Sequence, residues 1–361
     1  MDNAQPNHLT SLEQPAEISE TASAVRQRQR SLRHTIERAI AHRLQTQLAH
    51  ASYKLELAHP AMQKALAAEQ QLLQRGKALR PKRNTSNLQY HWAIALRLYP
   101  HLPSATASDT ALSLVDFAAT LADEIAGVDF SPDSLSQQVL GGNDQYFLAI
   151  GSDCFISVEP SGLLQIAVGD RAIILWLQTM LRSPLSPNPL SSNPGSGSRE
   201  AGGISHTPNL PNGHELNGDQ LFWIQAAHAR GCSLLRQGSL MHLVSPRLAA
   251  DLSVAVADMA GCAAWDDAVP LQSPQRAEWE LLKTTLTILD DWDSVSAARR
   301  WPLLQSMSQS IWHFDAHCRV LADAKHLPPN QAQIRFWALA IACKVLRHSL
   351  NSLGLDAPTA L

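Results

Sequence analysis

The chain has 361 residues, 45% of them hydrophobic and 17% charged, with a formal net charge of −3. That is globular composition, long enough for two domains with sizeable cores, and no run approaches the roughly 18 consecutive apolar residues of a membrane span. The opening MDNAQPNHLTSLEQPAEISE lacks the basic start and apolar stretch of a secretory signal, and Cys154, Cys232, Cys262, Cys318 and Cys343 are scattered with no C-x-x-C pair; reduced thiols in a cytoplasmic protein are expected, not a disulfide framework or zinc site.

Residues 1–25 are polar, show no periodicity and read as a disordered tail. From Leu32 the apolar positions Leu32, Ile36, Ile40, Leu44 and Leu48 recur every four residues, which predicts an amphipathic helix carrying Arg33, Arg38 and Arg43 on its other faces. Leu79 to Ser86, LRPKRNTS, reads as a basic loop broken by Pro81, and a second helix is expected through Trp92, Ala95, Leu96 and Leu98, stopping near Pro100. Another helix is predicted over 109–125. Two β-rich runs, Phe155 to Val158 and Leu163 to Val168, flank Pro160-Ser161-Gly162, a hairpin signal. Asp170 is placed to cap a helix through Ile173, Trp176, Leu177 and Leu181. Residues 26–182 therefore predict an α+β domain. Residues 183–218 are rich in Ser, Pro, Gly and Asn and read as a linker that buries too little to order itself. Residues 219–361 are helical in pattern, with candidates at about 219–240, 246–262, 275–290, 302–323 and 331–352: a bundle. The expected fold class is mainly α.

Charge is unevenly spread. Residues 26–83 hold 13 Lys or Arg against 3 Glu, whereas residues 84–182 hold 3 basic against 10 acidic residues. A basic stretch of this kind points to a polyanionic partner or to a solvated helical surface.

Candidate chemistry is sparse. Asp290, Asp291 and Asp293 form a D-D-x-D cluster of the kind that holds Mg²⁺, but it stands at a helix end with no second acidic cluster and no phosphate-cradling glycine loop, so it reads as a solvated interhelical turn. His313 and His317 lie four apart with Cys318 beside them, a zinc-compatible spacing, yet position 314 is Phe where H-E-x-x-H would have Glu. No nucleophile elbow, Walker loop or dinucleotide fingerprint occurs. No cofactor, metal or catalytic residue is expected.

The run from Trp223 to Arg236, WIQAAHARGCSLLR, resembles the Q-x-A-H-A-R-x-C-S-I-L-R helix that opens the anticodon-binding (DALR) domain of arginyl-tRNA synthetases. Phe314, Cys318, Arg319, Val320 and Leu321 resemble that domain's F-x-x-x-C-R-V-L helix. Val345-Leu346-Arg347 and Leu353-Gly354-Leu355-Asp356-Ala357-Pro358 resemble its closing segment. Earlier in the chain, Tyr90 to Ala95 resembles the family's D-Y-x-x-N-x-A helix, and Ile156 to Pro160 with Gly162 to Ile166 resembles its P-G-F-I-N-F strand. Both belong to the N-terminal domain that contacts the tRNA elbow in the enzymes.

The family's ATP-using domain, with HIGH-like and KMSKS-like motifs, has no counterpart here; the 183–218 stretch stands in its place. Without groups aimed at the phosphates, adenylate formation has no electrostatic stabilisation. Ala93 replaces a usual Asn, and Asp315 a usual Tyr beside the anticodon face. The resemblance implies a non-catalytic tRNA-binding protein, with arginine tRNA the first partner. Arg33, Arg38, Arg43, Arg75, Lys77, Arg80, Lys82 and Arg83 would meet phosphates, and Gln225, His228, Arg230, Arg236, Arg319 and Arg347 would act from the bundle. The alternatives are a module that binds a protein, such as a full-length synthetase, and an accessory to a separate catalytic chain. The 12 basic and 13 acidic residues after position 218 suit the former.

Overall fold

The computed structural model describes residues 31–51, 60–75, 77–82, 88–101, 113–126, 149–182, 218–250, 252, 275–292, 294–319, 321 and 327–360. The expected tail, all of the expected linker except Gly218, Arg83, Asp293, and residue 251 with residues 253–262 of the predicted 246–262 helix lie outside them, as does the side chain of Arg43.

Helix α1 (Leu32–Ala51) follows the four-residue period, with Leu32, Ile36 and Ile40 buried. Ser31 caps it: its hydroxyl accepts the His34 amide at 3.0 Å. Helix α2 (Pro60–Gln74) packs on α1 and buries Met62, Leu66, Glu69 and Leu73. Strand β1 (Leu79–Pro81) pairs with β2 (Gln89–Trp92), and the sheet is completed by β3 (Cys154–Val158) and β4 (Leu164–Val168) in the antiparallel order β1-β2-β4-β3. Between β2 and β3 come the short α3 (Ile94–Leu98) and α4 (Leu114–Ala126).

Two expectations change here. The start of the predicted basic loop is an edge strand, and Pro81 fits it because an edge needs no inward N–H at every position. Tyr90, His91 and Trp92, expected in a helix, are strand residues; helix begins only at Ile94. Alternation decides the matter: Tyr90 and Trp92 are buried while Gln89 and His91 are half-buried, a period of two. The β3–β4 hairpin forms as expected, with Gly162 at φ 78° in the turn. Helix α5 (Asp170–Arg182) follows, and its Ala172 amide is taken by the Asp153 carboxylate at 2.9 Å, so Asp153 helps to cap its first turn.

The described residues from Gly218 onward are mainly helical: α6 (Gly218–Leu240), α7 (Pro246–Ala250), α8 (Arg276–Asp291), α9 (Ala297–Cys318) and α10 (Pro329–Ser352). Helix α10 is the centre of this half, packed by α5, α6, α8 and α9 and buried nearly all round. Two glycines let α6 approach it. A Cβ on Gly231 would lie 2.3 Å from Cys343 Sγ, and one on Gly238 would lie 2.4 Å from the Phe336 ring. The two sequence halves touch at α5 with α10, where Lys344 Nζ donates to the Met180 carbonyl at 3.3 Å, and at α1 with α8. The fold is mainly α with one small antiparallel sheet.

Candidate nucleic-acid interface

Helix α6 turns its buried set, Ile224, Ala227, His228, Cys232 and Leu235, toward the bundle. Phe222 and Trp223 fall outside that register and stand 59% and 50% exposed. From α9, Trp312 meets Trp223 with ring centroids 5.1 Å apart and planes at 33°, an offset aromatic pair at the surface. Trp301 Nε1, also on α9, donates to Gln220 Oε1 at 3.2 Å. Farther along the same two helices, Arg230 donates through Nε to Asp315 Oδ2 at 2.8 Å and through Nη2 to Oδ1 at 3.3 Å. That hydrogen-bonded carboxylate raises the guanidinium above its ordinary pKa. Asp315 thus neutralises Arg230.

The other predicted contacts of α6 have a different use. Gln225 Nε2 donates to the Asp356 carbonyl at 2.9 Å, His228 Nδ1 lies 2.7 Å from the Pro358 carbonyl, and Arg236 Nη2 donates to the Thr359 carbonyl at 3.0 Å. Three side chains on one face pin the segment after α10 through its backbone. His228 is wholly buried, and its ring holds the Pro358 carbonyl. Cys232 lies 3.8 Å from His228 Nδ1; a hydrogen bond from Cys343, with His228 and Arg236 acting the same way against burial, holds its thiol below the ordinary range. Arg319 is exposed at the left-handed cap of α9, and Arg347 is half-buried on α10.

In the first half, Arg33 is held by two carboxylates. Its side chain is only 14% exposed, with Nε 3.6 Å from Asp290 and Nη2 3.7 Å from Asp291. Asp290 is buried and also accepts the Ser31 hydroxyl. The D-D-x-D cluster therefore begins with a buried ion pair joining α8 to α1, not a solvated turn. Burial pushes Asp290 up to about 6 despite Arg33 and Ser31. Next to it Glu37, wholly buried, accepts the Leu79 amide at 2.8 Å and is pushed up by burial to about 8.

Arg75, Lys77 and Arg80 are exposed between the end of α2 and β1, and Arg38 is half-buried. Lys82 donates to Glu159 at 2.8 Å and Gln165 at 2.9 Å. The strand register sets Arg80, His91, Gln165 and Ser157 in one row on the outer sheet face, with Phe155, 65% exposed, in the next row. His313 Nδ1 pairs with Glu280 at 2.7 Å, and the Cys318 sulfur is buried on the other side of α9. Among the described residues, no group of three or more His, Cys, Asp or Glu is placed to hold a metal ion.

Sequence reasoning missed Phe155, Phe222, Trp223 and Trp312. For Phe222 and Trp223 a signal existed: two aromatics stand next to Ile224 but off its buried stripe. Trp312 needed the α6–α9 packing to be known. No described helix is long and apolar enough to cross a membrane. The chain matches no family model, no curated protein and no solved structure.

Proposed function

We propose that this chain is a non-catalytic RNA-binding protein whose ligand is a tRNA, arginine tRNA first among them. It would hold single-stranded bases on the aromatic strip of α6 and α9 and phosphates near Arg75, Lys77 and Arg80. The observation that carries the reading is the Trp223–Trp312 pair, tilted ring against ring and partly open to solvent with Phe222 beside it in sequence. Large aromatics left at a surface are stacking platforms, and each base stacked contributes ~1–3 kcal/mol. Phe155 above the row containing Arg80 and His91 offers a second platform of the same kind.

The resemblance to arginyl-tRNA synthetases adds support. Its opening and closing motifs in the second half, far apart in sequence, meet through Gln225, His228 and Arg236. In this reading Gln225, His228 and Arg236 shape the interface by fixing the closing segment, and Arg33 fixes α1. Aminoacylation is left to other chains.

The test is a titration of labelled arginine tRNA and of an unrelated tRNA across a salt series. Binding that weakens as salt rises supports the proposal, because released counterions drive phosphate contacts. No binding at low salt rejects it.

A second reading, a surface for a protein partner such as a full-length synthetase, is favoured by the apolar exposure of Phe222 and Leu240. Capture of one synthetase that survives nuclease treatment would select it.

A further inference from the structure

Helices α8 and α9 enclose an open, polar groove of about 740 Å³ whose lining includes Glu280, Ser306, Gln309, Ser310, His313 and His317. Two imidazoles sit in it one helical turn apart, with ring centroids 4.0 Å from each other. Each uses its Nδ1. His313 Nδ1 lies 2.7 Å from Glu280 Oε2, and His317 Nδ1 lies 2.9 Å from the His313 carbonyl. Those acceptors select the Nδ1–H tautomer on both rings, which leaves a lone pair on both Nε2 atoms.

Metal-binding histidines show this pattern: one ring nitrogen donates to a carboxylate or a carbonyl, and the other is free for the ion. Glu280 is itself held, since its Oε1 accepts Arg276 Nε at 2.8 Å, so it orients His313 and is not a ligand. Arg276 beside it keeps the Glu280 carboxyl below its ordinary range.

We propose that His313 and His317 form a binding site for a divalent transition-metal ion of the zinc, nickel or copper class, with its remaining positions open to the groove. Imidazole nitrogen selects these ions over magnesium or calcium, which take oxygen. Two protein ligands are fewer than the four of a closed structural zinc site, so the remaining positions fall to water or an anionic partner. Cys318, adjacent in sequence, takes no part, because its sulfur is in the core. The proposal stands apart from RNA binding and does not depend on it.

The experiment is calorimetric titration of the untagged full chain with zinc, nickel and magnesium salts. Zinc and nickel are expected to give one saturable phase and magnesium none. His317 is exposed, so His317→Ala should leave the helical circular dichroism unchanged while removing the phase. Glu280→Gln should weaken it by about tenfold or more, and His242→Ala, at an exposed site elsewhere, should leave it intact. Absence of the phase in the unaltered chain, or its persistence in His317→Ala, overturns the proposal.

Discussion

Glu37 makes the stability of this fold depend on pH in a way that one substitution should remove. Its carboxyl is wholly buried, one oxygen accepts the Leu79 amide at 2.8 Å, and the other has no hydrogen-bond partner among the described residues. Burial raises it from 4.5 to about 8, against the Leu79 bond and Arg33. Between those values the unfolded carboxyl ionises while the folded one keeps its proton. The unfolded state then binds fewer protons, so stability falls as pH rises from about 4.5 and levels off above about 8. At pH 7 the loss is on the order of 3 kcal/mol, from about 1.4 kcal/mol per pH unit. Glu37→Gln keeps an acceptor for Leu79 and cannot ionise. Urea denaturation of both proteins at several pH values between about 5 and 8 is the assay. The curves should nearly coincide near pH 5, with the Gln variant more stable by roughly 3 kcal/mol at pH 7. Curves that stay parallel across this range, or a Gln variant less stable throughout, would show that Glu37 does not hold its proton in the folded chain.

Three further outcomes are expected. Trp223→Ala and Trp312→Ala should each weaken tRNA binding by about 5- to 150-fold, the equivalent of ~1–3 kcal/mol, with unchanged circular dichroism; fluorescence anisotropy of labelled tRNA reads this. Asp315→Asn releases Arg230 from its 2.8 Å partner and should tighten the same binding, whereas Arg230→Ala should not. Gly238→Ala places a methyl 2.4 Å from the Phe336 ring, inside a buried helix contact; a loss of about 1–3 kcal/mol in chemical denaturation is expected, and an unchanged midpoint would show that α6 and α10 are farther apart than described.

Much of the architecture could be read from residue pattern alone, and the failures have physical causes. The four-residue spacing of Leu32, Ile36 and Ile40 announced α1, and Pro160-Ser161-Gly162 announced the hairpin, because both signals are local. Tyr90 to Trp92 pass for a helix start in sequence because a four-residue strand beside a five-residue helix carries too few positions to separate a period of two from one of 3.6. The candidate site was less legible. Arg33 and His228 looked like RNA contacts by residue type, yet their partners, Asp290 and the Pro358 carbonyl, are 257 and 130 residues away. No local rule pairs them. Trp312 likewise gained its meaning only when α9 packed on α6.

If RNA lies on the aromatic face of α6 and α9, ultraviolet light should crosslink it there. The full chain bound to tRNA at low salt would be irradiated and the modified peptides mapped by mass spectrometry. Crosslinks at Phe222, Trp223 or Trp312 are the predicted result. A complex whose crosslinks all fall away from those two helices, or a chain that forms no complex to irradiate, would contradict it.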